Sequence, residues 1–176
     1  MPDFRQFLFV FVMISAAYPW QARAQGTVFH PPLAIPPNLS GTFQEFRSSH
    51  YHAGIDLKTQ QRTGLPIYAI ADGYVERIKV QAGGYGRALY LRHGDSITSV
   101  YGHLEAFSDE LEKYVEENQY NKESFFVDLY PKPGQFPVSK GQQMGRAGNA
   151  GFSGGPHLHF EVRHSHTEHP RNPFLY

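Results

Sequence analysis

Gly154-Gly155-Pro156-His157-Leu158-His159-Phe160-Glu161-Val162 is the stretch on which the fold turns. Read as a β-strand, it sends His157, His159 and Glu161 to one side and Leu158, Phe160 and Val162 to the other. One face is apolar enough to pack on a core. The other carries two imidazoles a pleat apart, an arrangement suited to one metal or one substrate. The chain has ten histidines and three His-x-His pairs, His50/His52, His157/His159 and His164/His166. Partners elsewhere must therefore separate a working pair from the rest.

Arg47 to Leu57 repeats the pattern. On a strand, His52, Gly54 and Asp56 share one face, while Ala53, Ile55 and Leu57 share the other. A helix would also join His52 and Asp56 at i, i+4, but Gly54 and the alternating apolar residues favour the strand. Imidazole and carboxylate are zinc ligand types, and catalytic zinc commonly takes three protein ligands and leaves a position for water. A solvated histidine beside a turn-capping aspartate is the other reading of these residues.

Between these stretches the sequence reads as a meander of short antiparallel strands: Leu65 to Ala71, Tyr74 to Val80 after Asp72-Gly73, Arg87 to Arg92, and Ile97 to Tyr101. His93 falls in the turn His93-Gly94-Asp95. His103, beside Gly102 at a strand end, can project into a cleft or serve structure alone. Residues 105–136 form an insertion. Ser108 offers an N-cap, and Leu111, Tyr114 and Val115 form the apolar stripe of a short helix that can wall a cleft. Phe125 to Tyr130 reads as a strand. His164, His166 and His169 lie in a polar tail and read as solvated.

Composition narrows the function classes. Acidic and basic residues balance at 16 each, so nothing points to nucleic acid. There is no cysteine, which excludes disulfides, thiolate metal sites and a cysteine nucleophile. Arg5, the apolar run Phe7 to Trp20 and Ala22-Arg23-Ala24 read as a signal peptide over residues 1–24. The unbroken run Phe7 to Ala17 is short of the roughly 20 residues a span needs, so no stable membrane span is expected after cleavage. Residues 25–38, with Pro31-Pro32 and Pro36-Pro37, form an extended lead-in. Residues 39–176 form one domain.

Taken together, His52-x-x-x-Asp56, Tyr101-Gly102-His103-Leu104, and Gly148-Asn149-Ala150-Gly151 running into Gly155-Pro156-His157-Leu158-His159-Phe160-Glu161 resemble peptidase family M23, the lysostaphin-like or LytM-domain zinc metalloendopeptidases. The resemblance implies a mostly β, antiparallel sandwich or barrel-like LytM fold (a duplicated hybrid motif) with a short helical insertion. It implies one zinc ion per chain on His52, Asp56 and His159, with His103 and His157 as the catalytic histidines. It further implies an exported enzyme of the periplasm or cell envelope that cleaves peptidoglycan peptides. An unregulated wall hydrolase endangers its owner, so a regulatory protein is plausible. Glu161 shares the strand face and either bonds a ligand's second nitrogen or faces solvent. Arg47 and Asn149 are candidates for substrate contact or loop support. Three other readings stand beside this one: a wall-binding or hydrolase-activating module that does not cut, a phosphocarrier like the glucose-specific IIA proteins, and a secreted peptidase of Gly-rich proteins.

Overall fold

Alternating side chains become an antiparallel ladder wherever one face can be buried. In the computed structural model, which describes residues 29–176, the elements run β1 (Leu39–Gly41), β2 (Ile55–Lys58), β3 (Pro66–Tyr68), β4 (Gly73–Val80), β5 (Arg87–His93), β6 (Ile97–Gly102), β7 (Leu104–Phe107), α1 (Asp109–Asn121), β8 (Val127–Leu129), β9 (Pro137–Val138), β10 (Gln143–Ala147), β11 (His157–His164) and β12 (Pro170–Arg171), closed by a 3-10 turn at Pro173–Leu175. The signal peptide expected over residues 1–24 lies outside the described residues. Among the described residues, no helix is long and apolar enough to cross a membrane.

The larger sheet has the order β1-β2-β11-β6-β5-β4-β8, with β12 beside β11 and β9 beside β4; β3, β10 and β7 make a smaller sheet ordered β3-β10-β7. The strand pairs are antiparallel. One buried cluster joins the sheets, with Ile67, Leu104 and Met144 from the smaller and Val75, Ile78, Leu89, Leu91, Leu158, Phe160 and Val162 from the larger. Each large side chain buried there contributes about 1.5–3 kcal/mol. The mostly β fold with one short helical insertion is the expected one.

Several local expectations needed correction. The strand expected over Leu65 to Ala71 is only Pro66–Tyr68, because the next backbone groups find other partners: Ala69 N–H donates to the Gln142 carbonyl and Ile70 N–H to the Tyr101 hydroxyl. The strand expected from Phe125 to Tyr130 shrinks to Val127–Leu129, since Gln119 and Ser124 side chains take the carbonyls of Phe125 and Phe126. Ser108 does precede the helix, but its side chain makes no capping bond; Glu112 instead reaches back to the Phe107 N–H at 2.7 Å. His93 is no turn residue. It ends β5, 8% exposed, with Nδ1 donating to the Asp72 carbonyl and Nε2 2.7 Å from the Ser99 hydroxyl. Of the tail histidines, His166 and His169 are exposed, whereas His164 closes β11 half-buried.

β11 carries the site. It lies between β2 and β6, and its register sets His159 opposite Asp56 on one side and Gly102 on the other. His103 follows at the corner where the chain leaves the larger sheet for the smaller one.

Candidate metal centre

Three candidate ligands converge, Asp56 and His159 through strand register and His52 from the arm before β2. The ligand atoms of His52, Asp56 and His159 lie within 4.8 Å of one another, and all three residues are buried. His52 Nε2 is 3.0 Å from His159 Nδ1 and 3.2 Å from Asp56 Oδ1; His159 Nδ1 is 2.9 Å from Asp56 Oδ1. A tetrahedral zinc with ligands at about 2.0–2.1 Å needs donor atoms about 3.3 Å apart. The donor set and its spacing therefore fit a zinc ion.

His52 reaches this point by a route other than the expected one. β2 begins only at Ile55, and His52 sits on the arm before it, where Phe46 and Tyr51 form a single bridge. The chain makes this approach because residue 54 is glycine; a Cβ there would collide with the Phe160 carbonyl and the Glu161 side chain.

One nitrogen of each ring is tied to an acceptor outside the cluster. His52 Nδ1 donates to the Thr42 carbonyl at 2.8 Å, His103 Nδ1 to Ala150 at 2.7 Å and His157 Nδ1 to Gly155 at 2.8 Å, while His159 Nε2 donates to Glu161 Oε1 at 2.8 Å. Each ring therefore turns its other nitrogen toward the cluster, the orientation that outer partners impose on metal-ligating histidines. Glu161 is fully buried, not solvent-facing. It also accepts from the Tyr85 hydroxyl and from Arg163 Nε at 2.6 Å. Burial pushes its carboxyl up, but His159 and Arg163 outweigh that and hold it at about 2.

Burial likewise opposes charge on Asp56, yet hydrogen bonds from His157, His159, His52 and Arg47 hold its carboxyl far below the usual range. Burial lowers His159, and bonds to Asp56 and Glu161 more than restore it. Lone pairs and negative charge meet at one point, which a cation satisfies.

His103 and His157 adjoin this cluster, with ring centroids 4.7 Å apart and His157 Nε2 3.6 Å from Asp56 Oδ1. The two imidazoles are pushed apart. Burial lowers His103 to about 4 despite its bond to Ala150. Burial also lowers His157, but the Asp56 hydrogen bond overcomes it and raises the ring. His103 holds a left-handed backbone, φ 60°, an uncommon conformation for a side-chain-bearing residue. Its carbonyl partner arrives because Gly86 and Gly151, both at positive φ, pack too closely for any Cβ.

Sequence reading missed Tyr85, stacked on the His159 ring at 4.7 Å, and Arg163, the next residue on the β11 face beyond Glu161. The alternation that marked Glu161 also marks Arg163. It had weighed Arg47 only for substrate contact or loop support. Arg47 Nη2 bonds Asp56 Oδ2 at 2.6 Å, in space that Gly41 leaves open. Arg47→Met frees that oxygen and lets the carboxylate rotate. Zinc affinity should fall about 10- to 100-fold, read by competition with a chromogenic chelator; wild-type affinity in the variant would remove this role.

The helix does not wall the neighbouring cleft. That cleft, about 1220 Å³, runs between residues 35–40 of the lead-in with β1 and the Gly154–His157 segment, with Asp56, Lys58 and Gln60 between them.

Comparison with known proteins identifies the family. The model of peptidase family M23 matches residues 50–120 and 127–173. A protein of Haemophilus influenzae named uncharacterized metalloprotease is 36% identical over 147 residues, 83% of this chain and 24% of its own length. Peptidoglycan DD-endopeptidase ShyA of Vibrio cholerae is 32% identical over 113 residues, 63% of this chain and 20% of its own. The crystal structure of a zinc-containing peptidase from Vibrio cholerae superposes with a TM-score of 0.56 and 25% identity, covering 77% of this chain and 35% of that one. The chain thus spans about a quarter or less of the length of these curated relatives.

Proposed function

Because this chain belongs to peptidase family M23, we propose that it is an exported zinc metalloendopeptidase acting on peptide cross-links or stem peptides of bacterial peptidoglycan. The observation that carries this is the cluster of His52 Nε2, His159 Nδ1 and Asp56 Oδ1 with two further imidazoles turned toward it. The Vibrio cholerae relative's name supports the wall as the substrate.

His52, Asp56 and His159 would hold the zinc. A bound zinc supplies a Lewis acid that makes water nucleophilic near neutral pH and polarises a carbonyl. The protein's own groups do the rest. Arg47 fixes the Asp56 carboxylate, and Glu161, itself tied down by Tyr85 and Arg163, fixes the His159 ring. His103 and His157 form a pair with divergent proton affinities, which is how acid and base roles divide between two like groups. His103, held neutral, presents an Nε2 lone pair that can take a proton from the attacking water. His157, whose proton affinity the Asp56 bond raises, can take up a second proton on Nε2 and donate it to the carbonyl oxygen or the leaving amine.

Digestion of purified peptidoglycan by protein from Gln25 onward, with zinc added or chelated and products read by mass, tests the proposal. Zinc-dependent release of shortened or un-cross-linked peptides is expected and would name the bond. Intact peptidoglycan with one zinc bound per chain would count against it.

A further inference from the structure

The cleft beside the metal group carries one conspicuous charge that the chemistry above does not use. Lys58 ends β2 and is exposed. Its register partner on β11 is His157, as Asp56's is His159. Cross-strand partners share a sheet face, so the Lys58 ammonium lies on the face of Asp56, His157 and His159. Ile55 and Leu57 occupy the other face, inside the core.

The charges lining the cleft are few. Asp56 is its only carboxylate among the described residues, and Arg47 is already engaged by Asp56 and Glu45. Among the described residues, Lys58 is the lining cation without an ion-pair partner. Its backbone is pinned, with its N–H donating to the Asn38 carbonyl at 2.8 Å. The chain then turns through Gln60 and Gln61, both left-handed at φ 57° and 60°, which sets two amide side chains on the rim after the lysine. Two consecutive left-handed residues that are not glycine are uncommon, and such backbone gathers at ligand-binding edges.

We propose that Lys58 binds a carboxylate of the substrate peptide, so that the site selects peptides with an anionic group close to the bond over His157. This rests on the peptidase reading and adds a substrate class to it: acidic or free-carboxylate peptides over their amides. A lone ammonium opposite His157, with Asp56 neutralised by its own partners, attracts an anion to that end of the cleft. A carboxylate held there would lie along β2 with its chain crossing the metal group. The partly exposed pair is screened, so the expected discrimination is moderate.

The test uses the zinc-loaded chain from Gln25 onward and one N-terminally labelled wall-type peptide, ending either in a free D-alanyl-D-alanine carboxylate or in its amide. Binding is followed by fluorescence anisotropy and cleavage by mass; where the peptides are cut, KM is the binding readout. Wild type should prefer the carboxylate about fivefold to tenfold, in KM or Kd and not in kcat, and salt should erode the preference. Lys58→Gln should bring the two affinities together, and Lys58→Arg should keep them apart. Equal affinity for the two peptides in wild type, or a preference that survives Lys58→Gln, would overturn the assignment. A preference that depends on Lys58 without any cleavage would uphold the anion site and overturn the peptidase reading instead.

Discussion

The His159→Ala protein is expected to emerge from purification without zinc. His159 Nδ1 lies 2.9 Å from Asp56 Oδ1 and 3.0 Å from His52 Nε2, so its removal leaves two of the three proposed ligands. Structural zinc binding is worth about 10–16 kcal/mol over a full ligand set, so losing one ligand should weaken affinity by two or more orders of magnitude. The substitution also takes one of three partners from a fully buried carboxylate, Glu161. A stability loss of about 1–3 kcal/mol should accompany it. Metal content by atomic emission, with circular dichroism to verify folding, separates these effects. His159→Gln fills more of the space and should also lose the metal while remaining folded. A folded variant with one zinc per chain would remove His159 from the ligand set.

His157→Ala should give the opposite pattern, retaining zinc and losing about 10²- to 10⁴-fold in kcat, the usual range for a proton-transferring side chain. His157 Nε2 is 3.6 Å from Asp56 Oδ1, farther than either proposed ligand nitrogen. Its Nδ1 partners, Gly155 and Ser153, belong to its own loop, so little of the fold depends on it. This makes it a cleaner probe than His103, which ties the 148–156 loop to the corner between the sheets. A zinc-free His157→Ala protein would reverse the division of roles. Unchanged turnover would remove the catalytic assignment.

The sequence by itself determined the parts that depend on short-range order. Period-two alternation marked His157, His159 and Glu161 as one face; it also grouped His52 with Asp56, although His52 comes from the arm before β2 and not from the strand itself. His103 was drawn in by Gly102 before it. All five residues named for the chemistry lie together. So did the fold class follow, because alternating strands divided by glycine turns have few ways to bury their apolar faces.

Only the tertiary structure decided how those residues meet. His159 and Asp56 are 103 positions apart, and their contact depends on the register of β11 against β2, which a one-residue slip would destroy. The ring orientations were equally hidden, since three of the four rings bond backbone carbonyls, and a carbonyl leaves no mark in residue identity. His93 read as a turn residue because burial depends on what packs over it, here the Asp72 carbonyl and Ser99. The sequence leaves the helix free to wall the cleft because amphipathicity shows only that one face is buried. Which neighbour buries it is a property of the assembled sheets, and they put the lead-in beside the metal group and the helix elsewhere.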